Sequence, residues 1–133
     1  MKLKGASGYS YYVSDIDKTA EFYEKLGLQI REKTADRIVI YLNWYRIDLV
    51  KPTETDYKEF HDEAASKDKG AGVFLYFSVD DVDATYQEML DLDLEPATKP
   101  QDQPWGNREF VLQDPDGYKL VIFKRKAAKN PLN

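Results

Sequence analysis

Residues 13–28 read VSDIDKTAEFYEKLGL, and residues 79–94 read VDDVDATYQEMLDLDL. At a constant offset of 66 (79 − 13), Val13 matches Val79, Asp15 matches Asp81, Asp17 matches Asp83, Thr19 matches Thr85, Leu26 matches Leu92 and Leu28 matches Leu94. Each copy follows a stretch rich in aromatic and branched residues, Gly8–Val13 and Val73–Val79, which reads as a strand. Each copy then opens on residues that can cap a helix: Ser14 or Asp15 in the first, Asp80 or Asp81 in the second. An internal repeat governs the fold reading.

Working outward, the first helix carries a stripe of Ala20, Phe22, Tyr23 and Leu26 and stops at Gly27. Strands are expected over 28–32, 37–42 and 45–50. The second helix carries Val82, Tyr86, Met89 and Leu90, and strands follow at 108–113 and 118–124, joined by the turn Asp114-Pro115-Asp116-Gly117. Pro96 and Pro100 bracket a short extended piece, and residues 101–107 read as a loop. Each half is therefore β-α-β-β-β, an α+β class. Residues 1–133 are expected to form a single domain: a first module over 6–52, a connection over 53–72, a second module over 73–125 and a tail over 126–133. A half of about 65 residues would be marginal alone. Tyr57, Phe60 and Ala64 have helical spacing inside the connection.

Composition removes several function classes. There is no cysteine, which excludes disulfides, thiol catalysis and Cys-based zinc sites. The net charge of −5 disfavours nucleic acid as the main partner, and the basic run Lys124-Arg125-Lys126 with Lys129 reads as a solvated terminus. No stretch has the length of a membrane span, and MKLKGASGYS lacks a signal-peptide core, so the expectation is a cytoplasmic protein without membrane partners. Asp80, Asp81 and Asp83 are explained by a helix start, and Ser10, Ser14 and Ser78 lack a His–Asp arrangement, so nucleophilic catalysis has no support.

If each helix covers one sheet face, the alternation of strand residues defines the other face. Val13, Leu75, Phe77, Val79, Leu120, Ile122, Ile47 and Leu49 belong against the helices. The opposite set includes Ser10, Tyr12, Arg46, Asp48, Phe74, Tyr76, Ser78, Lys119, Val121 and Phe123. Aromatic walls stack planar groups and attract cations, and a few charged points orient a ligand. The candidate ligand-binding residues are Tyr12, Arg46, Asp48, Phe74, Tyr76, Trp105, Glu109, Lys119 and Phe123. The competing reading is that Phe74 and Tyr76 pack a core between the modules.

These motifs resemble the vicinal oxygen chelate superfamily, which includes glyoxalases, extradiol dioxygenases and the fosfomycin and bleomycin resistance proteins. The resemblance rests on V-S-D-I-D…F-Y-E-K-L-G-L from Val13, V-D-D-V-D-A from Val79 and F-V-L-Q-D-P-D-G-Y-K-L from Phe110, and covers about residues 6–124. It implies paired βαβββ modules, a cleft formed by a curved mixed sheet, and a homodimer. Enzymes of the family hold a divalent metal through His and Glu. The corresponding positions here are Gly8, Asp48, Phe74 and Val121, of which only Asp48 can coordinate. The lone histidine, His61, reads as a surface side chain in the connection. The stretch Pro104–Gly117, PWGNREFVLQDPDG, is similar to bleomycin resistance proteins, which sequester a large cationic, aromatic glycopeptide without transforming it. The expectation is a non-catalytic antibiotic-resistance type of binding protein, with no cofactor, no metal and a cationic, aromatic small-molecule ligand. Two alternatives stay open: a glyoxalase-like lyase or isomerase, or a dioxygenase-related enzyme, with an atypical or absent metal site, in which Glu109, Tyr12 or Asp48 would be the acid or base; and an interaction domain whose cleft has collapsed.

Overall fold

The computed structural model describes residues 1–54 and 56–126. The expected tail from 127 onward, with Lys129, lies outside the described residues. The chain divides into two compact units, Met1–Lys69 and a second beginning at Gly70.

The first unit contains β1 (Gly8–Tyr12), α1 (Ile16–Lys25), β2 (Ile30–Lys33), β3 (Arg37–Leu42), β4 (Tyr45–Val50) and α2 (Lys58–Ala64). The second contains β5 (Phe74–Ser78), α3 (Val82–Asp91), β6 (Gln101–Asp102), β7 (Asn107–Gln113) and β8 (Lys119–Arg125). The sheets are ordered β1-β4-β3-β2 and β5-β8-β7-β6, the same order twice. The first strand pairs parallel to the last in both, from Gly8↔Arg46 to Tyr12↔Val50 and from Phe74↔Lys119 to Ser78↔Phe123. The remaining pairs are antiparallel. The repeat read from 13–28 and 79–94 is thus a repeat of topology. Residues 101–107, expected to be a loop, include a short strand: Gln101 and Asp102 form two residues of edge strand against Arg108 and Glu109, too short to leave a period of two.

Helices α1 and α3 each start on the second residue of the candidate capping pair, Asp15 and Asp81. Asp15, extended at φ −140°, accepts a bond from the Lys18 amide at 3.0 Å, and Asp81, at φ −143°, accepts one from the Ala84 amide at 3.0 Å. The ends match as well. The Leu28 amide donates to the Tyr23 carbonyl at 3.2 Å, and the Leu94 amide to the Met89 carbonyl at 2.9 Å. The intervening left-handed position is Gly27 (φ 82°) in one copy and Asp93 (φ 61°) in the other. Glycine takes that conformation without a Cβ clash, whereas Asp adopts it at some cost.

Helix α1 buries Ile16, Ala20, Phe22 and Tyr23 and packs on β3, and the Tyr23 hydroxyl is 2.9 Å from that of Tyr11. Helix α3 packs on β7 and β8 through Val82 and Met89, with Tyr86 edge-on to Phe110 at 5.3 Å. Leu90, expected in that stripe, is exposed: Val82, Tyr86 and Met89 already span the face, and the next residue turns away. Ile38, Ile40, Ile47 and Leu49 complete the first core; Phe110, Leu112, Leu120 and Ile122 complete the second. Each such side chain contributes roughly 1.5–3 kcal/mol on burial.

Exposed ion pairs tie the first helical turns to the strands. Lys33 Nζ donates to Asp17 at 2.7 Å, while Arg108 donates twice to Asp83 at 2.8 Å and once to Asp102 at 3.1 Å. These partners hold the carboxyls of Asp17, Asp83 and Asp102 below the ordinary range, Lys126 acting first on Asp102.

Two outcomes follow from these contacts. Gly27→Ala should lower unfolding free energy by about 1 kcal/mol, and Asp93→Gly should raise it by about 0.5 kcal/mol, with opposite shifts of Tm; equal effects would contradict the cap assignment. Because the three carboxyls are depressed in the folded state, their contribution is present above their unfolded values near about pH 4 and is lost as pH falls through the folded ones. Tm should therefore fall on acidification below about pH 4, and Arg108→Leu should make that fall shallower; an unchanged slope would show the pairs to be inert.

Candidate functional site

In the second unit, the face of the sheet away from α3 is set by register. Phe74 lies opposite Lys119, Tyr76 opposite Val121, and Phe123 opposite Glu109. Phe74 is 52% exposed and Tyr76 is 53% exposed, although both sit within a regular strand. Tyr76 meets Phe123 edge-on at 5.6 Å, and Lys119 Nζ lies 6.0 Å from the Phe74 ring centroid. At the far end Glu109 is only 7% exposed, and among the described residues its carboxylate accepts a single 3.3 Å bond, from the Asn107 side-chain amide. The face thus runs from a cation beside Phe74, past two rings, to a secluded carboxylate. Trp105 is 61% exposed at the tip of the β6–β7 hairpin, where Gly106 (φ 99°) closes the turn and its amide donates to Gln103.

In the first unit, Asp48 shares the open face with Arg46, and its side chain is only 15% exposed. Arg46 grips it through both carboxylate oxygens, at 2.7 and 3.2 Å, and Arg37 adds a bond at 3.4 Å. The Asp48 carboxylate raises the Arg46 guanidinium pKa further, and the Tyr41 hydroxyl accepts from Arg46 at 3.4 Å. Sequence reasoning missed Arg37, although the period of two on β3 and its hairpin register with β4 place it on the same face. Tyr12 stands two residues further along β1, half-buried, with its ring 6.0 Å from that of Phe60 on α2. The aromatic spacing of α2 was legible; its closure over Tyr12 was not. His61 is exposed on α2.

The sequence profile of the Glyoxalase/Bleomycin resistance protein/Dioxygenase superfamily matches residues 7–122. The chain belongs to this superfamily. Bleomycin resistance proteins from Geobacillus stearothermophilus and Staphylococcus aureus (strain N315) are each 28% identical over 121 residues, covering 85% of this chain and 91% of theirs. The crystal structure of a bleomycin resistance determinant encoded on the transposon Tn5 superposes with a TM-score of 0.65 at 20% identity, covering 94% of this chain and all of that one (100%). An integron cassette protein from V. cholerae reaches 0.69 at 23% identity, covering 92% and 96%. At these identities the structural likenesses show the fold.

The superfamily's metal can be tested against the residues that occupy its positions. A Cβ at Gly8 would stand 1.9 Å from the Arg46 carbonyl oxygen, so β1 has no room there for a histidine. Asp48 is occupied by two guanidiniums. Phe74 and Val121 offer no donor atom, and Val121 is buried. Among the described residues no three His, Asp or Glu side chains gather into a metal-holding group. The donor set does not fit a divalent ion. Excess zinc, nickel or manganese should leave Tm unchanged, since an ion bound only by the folded state would raise it. Asp48→Asn should destabilise the protein by about 1–2 kcal/mol by leaving two guanidiniums without their anion; a neutral effect would show the cluster to be idle.

Proposed function

We propose that the protein binds and sequesters a small cationic, aromatic molecule without transforming it, as a homodimer of the bleomycin-resistance type. The observation that carries this reading is the pair of rings Phe74 and Tyr76, both about half exposed on one strand, with the poorly partnered Glu109 carboxylate on the same face. Large apolar rings are ordinarily withdrawn from water, and a secluded carboxylate ordinarily has a cation beside it. A ligand that stacks on Tyr76 and Phe123 and brings a positive group to Glu109 meets both needs. Lys119 blocks one side of Phe74 to a cation, which orients the ligand with its acceptor groups at that end. Exposure of Phe74 and Tyr76 also weighs against a collapsed face. The shared ancestry with proteins named for bleomycin resistance supports the class of ligand.

Titration with metal-free and copper-loaded bleomycin, followed by Trp fluorescence, should give saturable binding, and Tyr76→Ala should weaken it about tenfold, or about 1.4 kcal/mol. Binding of equal strength in the variant would remove this face from the account, and no saturation with either form would remove that ligand.

A further inference from the structure

We propose that Asn107 is the positioning residue for the Glu109 carboxylate, holding one of its oxygens while leaving its charge to a ligand; this rests on the function proposed above and deepens it. Asn107 and Glu109 stand two apart on β7, so their side chains leave the sheet on the same face. Both are withdrawn from water, at 8% and 7% exposure, although Asn and Glu are ordinarily surface residues. The Asn107 side-chain amide donates to Glu109 Oε2 at 3.3 Å. Among the described residues no ion pair joins Glu109 to a cation.

The strand itself is pinned on either side of the pair. Arg108, between them, leaves by the other face and donates twice to Asp83 at 2.8 Å and once to Asp102 at 3.1 Å. The Asn107 backbone carbonyl accepts the Gln103 amide at 2.7 Å, at the base of the β6–β7 hairpin. In register, Glu109 has Gln101 of β6 on one side and Phe123 of β8 on the other. The backbone of the pair is thus fixed, and the amide bond fixes the long Glu109 side chain, which would otherwise lose its rotamer freedom only when a ligand arrived.

The identity of the donor decides what the carboxylate can still do. Where a guanidinium spans both oxygens, as Arg46 does on Asp48 at 2.7 and 3.2 Å, the charge is answered. A primary amide brings N–H donors and no net charge. It therefore orients Glu109 without neutralising it. An aliphatic residue at 107 would leave that secluded carboxylate without its donor, and an arginine would close it to a cation.

The test combines calorimetric titration of the full chain with metal-free bleomycin and NMR of the Asn107 side-chain amide in the free protein. Asn107→Ala should weaken binding about fivefold and Glu109→Gln about tenfold, while the double variant should bind no more weakly than Glu109→Gln alone. Asn107→Gln, which keeps the amide donor, should lose less than Asn107→Ala. Without ligand, Glu109→Gln should move the Asn107 side-chain amide proton signals upfield, because a charged acceptor is replaced by a neutral one. Additive losses in the double variant, wild-type binding by Asn107→Ala, or amide signals that stay in place would overturn the proposal. If the wild type binds no bleomycin, the function proposed for the face fails, and the amide signals still decide whether Asn107 holds the carboxylate. Glu109→Gln preserves the shape of the side chain, so that readout stands even if Asn107→Ala does not fold.

Discussion

In each unit a single helix lies across one face of a four-stranded sheet, α1 over β3 and α3 over β7 and β8. That one-sided cover fixes the chemistry of everything else. The parallel pairing of first and last strands demands a crossover rather than a tight turn. Alternation then sends Ile47, Leu49, Leu120 and Ile122 under the helix and Arg46, Asp48, Lys119 and Phe123 to the other side. A residue's role follows from whether its number is odd or even along its strand.

The two open faces have resolved their charges differently. On the first, Asp48 is held bidentately by Arg46 and supplemented by Arg37, a closed arrangement with no demand for a further cation. On the second, among the described residues Glu109 accepts an amide at 3.3 Å and lies opposite Phe123. Ionised groups hydrogen-bonded to a neutral amide gain less than those paired with a cation. Among the described residues, Glu109 thus has less charge compensation than Asp48. The superfamily's scaffold is present in both units, while the positions that the sequence resemblance assigns to the metal of its enzymes carry a glycine pressed on a carbonyl, a neutralised aspartate, a ring and a buried valine.

Much of the fold was legible because the signals were periodic or repeated. Asp15 and Asp81 announced the helix starts, Gly27 the first helix end, and the period of two in 45–50 and 119–123 sorted residues between faces. The equivalent of Gly27 was hidden because Asp93 takes the same left-handed conformation without the same residue type. Strand β6 was hidden because two residues carry no period. Of the expected site residues, Phe74, Tyr76, Lys119, Phe123 and Glu109 share one face, and Arg46 and Asp48 share another. What alternation alone could not show was how Asp48 spends its charge: Arg37 reaches it across a hairpin, and long-range partners of that kind are set by register rather than by local composition. The closure of Phe60 over Tyr12 is likewise a tertiary contact between residues 48 positions apart (60 − 12), invisible to a window of one helix.

The most direct measurement of the central claim is recovery of the ligand. The protein would be dialysed to equilibrium against bleomycin, the retained ligand released by denaturation and its mass determined. The account predicts stoichiometric retention and an unaltered mass. A changed mass would show transformation in place of binding, and absence of retention would show that the aromatic face of the second unit does not take this ligand.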